Sequence, residues 1–551
     1  MTHRRVMAIA LALCLLGIVV PLAGQQVPSL KDQVIERVLP NGLKVLMVKR
    51  PEAPLIRCIL AYRVGSVNER PGITGISHFH EHMMFKGTKS MGIKPGTLAK
   101  DDEYNRQIDD LMAKVAAEEA KPKDRNEAQI AALKKQVSEL IGKEKKETIV
   151  SEEIWGAYQQ AGGTGINAST GSEMTQYYVT LPKNAIELYL ALEADRMVNP
   201  VFREFYSERD VITEERRQSE NQPGFFFDEM LNATFYAASP YHWEVVGWMS
   251  DISKVTKQEM IDYRSQFYRP DNATLVLVGD VDPEKIMPLV TKYFGPIKPK
   301  GKSPRVRTEE PTPEYYKRTI SQNFVPPYIE KRVTGRAATN PQVSLLFHIP
   351  PIWHDDLPAL FMLGRVMSAR TGKMYMDLVE KQQHATGVSA NASNSEYDGR
   401  FTLGATGREV RGELAVPLDQ LEKDLWNYVE DAKKTPVDAN LLQRIKNSVE
   451  AQYLQSFAGT NIAGSLASME VAYRWQHLED QFRARMAVTP EDMMRVAQKY
   501  FTHDNCVTGV LERDGGGRGA APTTSDSALR QQPSPAQGVV SLSNHGRQGS
   551  K

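Results

Sequence analysis

The stretch VTKQEMIDYRSQFYRPDNATLVLV at 255–278 is answered later in the chain by VTPEDMMRVAQKYFTHDNCVTGVL at 488–511. Val255-Thr256 pairs with Val488-Thr489, Glu259-Met260 with Asp492-Met493, Tyr268 with Phe501, and Asp271-Asn272 with Asp504-Asn505, every pair offset by 233 positions. Each copy reads as helix, turn and strand, the strands being Thr274 to Val278 and the run from Cys506. One such unit recurring in register predicts two copies of an α+β domain. The 551 residues also exceed what one ordinary core holds.

Working outward, Val34 to Leu39 and Leu43 to Val48 flank the turn residues Pro40-Asn41-Gly42, a β-hairpin signature. A third strand is expected over Leu55 to Val64, and Thr74-Gly75-Ile76 opens a helix. Between about Met91 and Thr148, Ile108, Leu111, Met112 and Val115 recur at helical spacing, as do Ile130, Leu133, Val137 and Leu140. This is a charged helical hairpin with one apolar stripe per helix, amphipathic only toward itself. Gly162-Gly163-Thr164-Gly165-Ile166-Asn167-Ala168-Ser169-Thr170 then turns into a strand, Thr175 to Leu181, followed by helices over Ala185 to Met197 and about Arg203 to Ser219. Pro304, Pro311, Pro313, Pro326 and Pro327 mark a join. The expected organisation is an N-terminal domain at 25–300 with the hairpin inserted at 91–148, a linker at 301–332, a C-terminal domain at 333–514, and a tail at 515–551 whose Gly, Ser, Pro and Gln predict disorder.

Lys and Arg number 68 against 67 Asp and Glu, so no global field favours nucleic acid or an anionic membrane. Residues 1–24 read as an export signal: basic His3, Arg4 and Arg5, an apolar run from Val6 to Val20, then small residues before Gln25. That run is short for a bilayer span of ~20 residues, so a periplasmic or secreted protein without a stable membrane span is expected. Cys58 and Cys506 sit in strand-like apolar runs and read as buried thiols rather than a disulfide.

The sharpest chemical feature is His78-Phe79-His80-Glu81-His82. His78 and His82, four apart on a helix, share a face and can bite one metal, and neutral imidazole suits zinc. Glu81 can reach a metal-bound water as general base, the inverted form of the zinc-protease helix. His80 lies two residues from either partner and points elsewhere, toward an outer-shell or packing role. Zinc usually takes a third protein ligand. The helix after Arg203 offers Glu204, Glu208, Glu214 and Glu215. Glu208 and Glu215, seven apart, share a face that excludes Glu214, and charge alone does not choose between them.

These residues resemble the insulinase/pitrilysin family of zinc metallopeptidases. The likeness runs from about Val34 to Arg513 and centres on Gly75 to Thr88, on Gly162-Gly163 with Asn167-Ala168-Ser169-Thr170, and on Glu208 to Arg217. It implies that Glu215 is the third zinc ligand and Glu208 supports it from the outer shell. It implies a fold of two homologous domains, each a mostly antiparallel sheet packed with helices, together forming half of a clamshell. It also implies a chamber where peptide pairs with a sheet edge, here at Asn167, Ala168 and Ser169. Met83, Phe85 and Tyr178 are candidates for the cleft wall but fit the core better.

One departure stands out. Active relatives often supply an Arg and, seven residues on, a Tyr from the opposite half, and this chain has Val379 and Thr386 there. The expected function is zinc-dependent endopeptidase action on peptides or unfolded polypeptides, one Zn2+ per chain, with Glu81 catalytic. The active form is expected to be a dimer, with a related chain supplying the Arg/Tyr pair. The alternative is a non-catalytic or partner-dependent peptide-binding subunit.

Overall fold

Two sheets of matching plan organise the molecule. The computed structural model describes residues 29–299, 301 and 331–514. The export segment 1–24, most of the linker and the tail 515–551 lie outside the described residues. The strands are β1 (Val34–Val38), β2 (Lys44–Lys49), β3 (Leu55–Tyr62), β4 (Thr164–Thr170), β5 (Thr175–Pro182), β6 (Ala273–Gly279), β7 (Lys331–Ala337), β8 (Gln342–Ile349), β9 (Ala385–Asn394), β10 (Gly399–Gly407), a short ribbon of β11 (Glu409–Val410) and β12 (Glu413–Leu414), and β13 (Cys506–Arg513). The helices used below are α1 (Ile76–Met83), α2 (Leu98–Glu119), α3 (Glu127–Glu147), α4 (Phe205–Glu220), α5 (Phe225–Phe235), α6 (Lys257–Phe267), α7 (Leu357–Met367), α8 (Ala439–Ser456), α9 (Ile462–Ala472) and α10 (Pro490–Tyr500).

The sheet orders are β1-β2-β6-β3-β5-β4 and β7-β13-β8-β10-β9. Without β1 they correspond strand for strand. The β2–β6 and β7–β13 pairs are parallel and the others antiparallel. The repeat read in the sequence is α6–β6 and α10–β13, and its shared residues have shared jobs. Thr256 and Thr489 each cap their helix through a reciprocal box with Glu259 and Asp492. Asn272 Nδ2 donates to Phe267 O at 2.9 Å, and Asn505 Nδ2 to Tyr500 O at 2.8 Å. The same amides also donate to Arg63 O and His348 O, tying each helix end to a neighbouring strand. The chain thus has two similarly built α+β halves. Lys331 and Arg332 already belong to β7, so the join ends sooner than 332.

The linear domain boundaries do not describe the packing. Phe227, Leu231 and Phe235 of α5 lie on Val333, Leu346, Val507 and Leu511 of the C-terminal sheet. Ile462, Ala463, Leu466, Ala467 and Val471 of α9 lie on Leu46, Val48, Ile59, Ala61, Val276 and Val278 of the N-terminal sheet. Each half therefore covers the outer face of the other's sheet with one helix. Gly335 and Gly509 permit this approach: a Cβ on either would meet Phe227 or Leu231 at 2.8 Å.

The inserted hairpin is α2 and α3, with Ile108, Val115, Ile130 and Val137 buried between them. It is not amphipathic only toward itself. Asp101 is buried and pairs with buried Arg203 at 3.3 Å. Asp109 accepts from Tyr206 and pairs with Lys257 at 2.9 Å. Polar ties, which hydrophobic periodicity does not register, bind it to the body of the protein. Cys58 and Cys506 are buried and not joined in a disulfide.

Candidate metal centre

Every residue of α1 is buried, including His78, His80, Glu81 and His82. So polar a helix needs support from outside itself. The residue at its start cannot cap it with a side chain: Gly75 takes φ +86° and contributes only backbone. Instead the Glu69 carboxylate accepts from Gly75 N and Ser77 N, both at 2.8 Å, at the positive end of the helix. At the other end, buried Arg196 donates from Nε to Met84 O at 3.0 Å and pairs with Glu193 at 2.7 Å. Its guanidinium lies over the rings of Phe85 and Tyr177. Arg203 gathers the carbonyls of Lys86, Thr88 and Met91, fixing the exit. Glu69, Arg196 and Arg203 were not singled out in the sequence, because nothing local marks a charge that serves a distant helix end.

The face of α1 carrying His78 and His82 meets α4. His78 Nε2 and His82 Nε2 stand 3.7 and 3.8 Å from Glu215 Oε2. These three ligand atoms lie within 4.8 Å of one another, the sole such group of His, Cys, Asp and Glu among the described residues. None of the three has a hydrogen-bond partner, although all are buried. Donors about 2.0–2.2 Å from one ion in a tetrahedral site stand about 3.3–3.6 Å apart, so the two distances to Glu215 are within a few tenths of an ångström of what a zinc-sized cation needs. Glu208 lies behind: its carboxylate accepts from His82 Nδ1 at 3.3 Å and also contacts Lys86 Nζ. That hydrogen bond holds the His82 proton on Nδ1 and leaves Nε2 as a lone pair. Glu214 is exposed and pairs with Arg217, on another side of α4.

The electrostatics set the two histidines apart. Burial, with His82 alongside, pushes His78 down to about 3, so it is neutral at ordinary pH. Burial pulls His82 down as well, but its bond to Glu208 and the charges of Glu215 and Glu81 outweigh that and raise it. Burial works against the Glu208 charge, yet His82 and Lys86 hold it below the usual carboxylate range. Burial pushes Glu81 up to about 7, against a 2.6 Å bond donated by Thr170 Oγ1 to its Oε2. Glu81 Oε1 is buried without a partner.

Thr170 ends β4, which is one of the two edge strands of the N-terminal sheet. The stretch Asn167-Ala168-Ser169 therefore runs along an edge leading to Glu81. Ala168 points into the core, and Asn167 is half-buried on the other face. The His80 ring packs against Tyr268, centroids 3.9 Å apart and planes tilted by 36°, the packing one of the two roles expected of it. Met83 is core, Phe85 half-buried against it, and Tyr178 faces away from α1. Val379 is buried on the turn of helix before β9, and Thr386 is exposed on β9.

Comparison with known proteins follows the same lines. Residues 44–93 and 146–247 match the family described as insulinase, peptidase family M16. Residues 254–449 match the description "Peptidase M16 inactive domain". The gap between the first two stretches falls on the α2–α3 hairpin. The zinc protease PqqE of Helicobacter pylori is 26% identical over 482 residues, covering 86% of this chain and 91% of that one. A solved protease structure from Helicobacter pylori superposes with a TM-score of 0.67 at 24% identity, covering 87% of this chain and 99% of the other. The first half of the periplasmic protease PqqL from Escherichia coli superposes at 0.62 with 15% identity, covering 88% and 92%.

Proposed function

Because the chain belongs to the insulinase family of peptidases, family M16, we propose that it is a zinc-dependent endopeptidase acting on peptides or unfolded polypeptides. The observation that carries this reading is the set of three convergent, buried and unpartnered atoms, His78 Nε2, His82 Nε2 and Glu215 Oε2. A zinc ion held by His78, His82 and Glu215 would supply Lewis-acid polarisation of the scissile carbonyl. Glu81 takes the proton of the attacking water at its free Oε1 and returns it to the leaving amine. Thr170 holds Oε2 of the same carboxylate, fixing the base against the sheet edge. Glu208 orients His82. The β4 edge offers unpaired backbone groups to which an extended substrate adds as a further strand, alongside Asn167, Ala168 and Ser169.

The test is turnover of an unfolded peptide by the purified chain, with metal content measured in parallel. Chelation abolishes turnover and one equivalent of zinc restores it. Turnover indifferent to chelator would exclude the metal mechanism. A second reading concerns partnership. The fold matches the first half of a longer protease, and Val379 and Thr386 offer neither the charge of Arg nor the ring of Tyr. The active form is a dimer with a related chain that carries both, and adding that chain raises turnover. Vigorous cleavage by the single chain, shown by light scattering to be monomer or homodimer, would remove the need for it. Residues 1–24 support export to the periplasm or beyond. Among the described residues no helix is long and apolar enough to cross a membrane.

A further inference from the structure

The outer face of the N-terminal sheet is covered unevenly. Over β2, β6 and the middle of β3 it lies under α9. Toward the β5–β4 margin it opens: in β5 buried residues alternate with half-exposed Gln176, Tyr178, Thr180 and Pro182. Register puts Arg57 of β3 opposite Thr180, and Tyr178 opposite Asn167, all on this open face. Arg57 reaches across β5 to the edge strand. Its Nη1 donates to Gly165 O and Thr180 Oγ1, both at a long 3.3 Å, and its guanidinium lies 4.4 Å over the Tyr178 ring. Among the described residues, Nε and Nη2 have no acceptor and no carboxylate acts on the group. Burial pulls its pKa down, so it is a partly desolvated cation lacking a counter-charge.

Such a fork, stacked on a ring and aimed along a sheet edge, is suited to a planar anion. The edge has a direction. β4 runs from Thr164 to Thr170, and Thr170 touches Glu81. A peptide added antiparallel to β4, with its scissile bond beside Glu81, runs its C-terminal part toward Gly165. We propose that Arg57 is an anion-reading subsite for the substrate: it pairs with a carboxylate carried about four to six residues downstream of the scissile bond, at ~3.3 Å per paired residue. The inference rests on the peptidase reading above. The carboxylate is an acidic side chain or the free C-terminus of a short peptide.

The test uses the full-length zinc-loaded chain and its Glu81→Gln form, which separates binding from cleavage. Three peptides share one sequence: Glu five residues downstream with an amidated end, Gln there with an amidated end, and Gln ending at that position with a free carboxylate. Affinity is read by fluorescence anisotropy in the Glu81→Gln background, and KM and kcat in the Glu81 background. The carboxylate-bearing peptides are expected to bind about 10-fold tighter than the neutral one. The same factor appears in KM, with kcat within about twofold. Arg57→Gln abolishes the discrimination and Arg57→Lys retains part of it. Which carboxylate gains more identifies the source. Discrimination in the Glu81→Gln form without turnover in the Glu81 form would support the subsite and refute the peptidase. Equal affinity for all three peptides would overturn the subsite, as would equal losses for all three in both variants.

Discussion

Helices α1 and α7 occupy corresponding places in the two halves, each beside the edge strand of its sheet, and they could hardly be less alike. Helix α1 buries three histidines and a glutamate. Helix α7 buries Leu357, Leu360, Met362, Leu363, Val366 and Met367. The contrast repeats in the helices that face them. Where α4 carries Glu208 and Glu215, the inner face of α8 carries Leu442 and Val449, also seven apart and both buried. One backbone plan thus serves as a chemical site or as plain packing. The difference lies in the surroundings as much as in the ligands. Around α1 stand Glu69, Arg196, Glu193, Arg203 and Asp101, each neutralising a helix end or another charge. Around α7 the charged support is confined to its start, where buried Asp356 pairs with Arg495 at 2.6 Å and Lys499 at 2.8 Å; the rest is burial of apolar side chains at ~25 cal/mol per Å².

The contrast breaks most sharply at Glu81. On the proposed mechanism Glu81→Gln removes a base and not a donor, so it should lower turnover about 10²–10⁴-fold while leaving metal content intact. Assay of a metal-quantified preparation decides it, and retained turnover would refute the role. At the ligands, Glu215→Ala should lose most bound zinc and Glu214→Ala should keep it, since only Glu215 converges with the histidines. Equal metal loss in both, measured after dialysis, would show that position on α4 does not matter. The supporting charges give the next contrast. Arg196→Met strands Glu193 in the core and should cost about 3–5 kcal/mol in denaturant unfolding. Leu360→Ala in α7 should cost about 2–5 kcal/mol through a cavity. Only the first should also weaken zinc binding; an equal effect of both on zinc would dissolve the distinction.

The smallest expected effect lies at the joint between the halves. Glu173 accepts from Tyr241 and from Glu396 N, and burial pushes it up from 4.5 to about 7. The folded chain then binds more protons than the unfolded one between those values, so this carboxyl makes stability fall as pH rises from about 4.5 to about 7. Glu173→Gln should flatten the dependence by up to about 3 kcal/mol across that window. Melting curves at a series of pH values for both proteins would show it, and parallel curves would refute it.

Much of this was legible in the residues. The 233-residue offset predicted the paired halves because capping boxes and the Asn272 and Asn505 amides leave a local signature. The position of Glu215 relative to the histidines was open from charge alone and needed family resemblance, since any glutamate on a polar helix looks solvated. Other features left no local trace. Arg203 and Asp101 are 102 positions apart, and neither stands out in a charged stretch. The crossing-over of α5 and α9 escaped because an amphipathic helix declares that it has a buried face, not whose sheet will bury it.

That crossing has a consequence for how the chain is assembled. Residues 29–299 made alone would leave Phe227, Leu231 and Phe235 without a sheet, and their own sheet without Ile462, Leu466 and Val471. Two such fragments could satisfy each other only by exchanging helices, the geometry of a domain-swapped dimer. Covalent fusion converts that exchange from a bimolecular encounter into an intramolecular one, at an effective concentration no dilution can lower. The halves are consequently one folding unit, and neither sheet is complete until residues more than 400 positions apart, such as Leu46 and Ile462, have met.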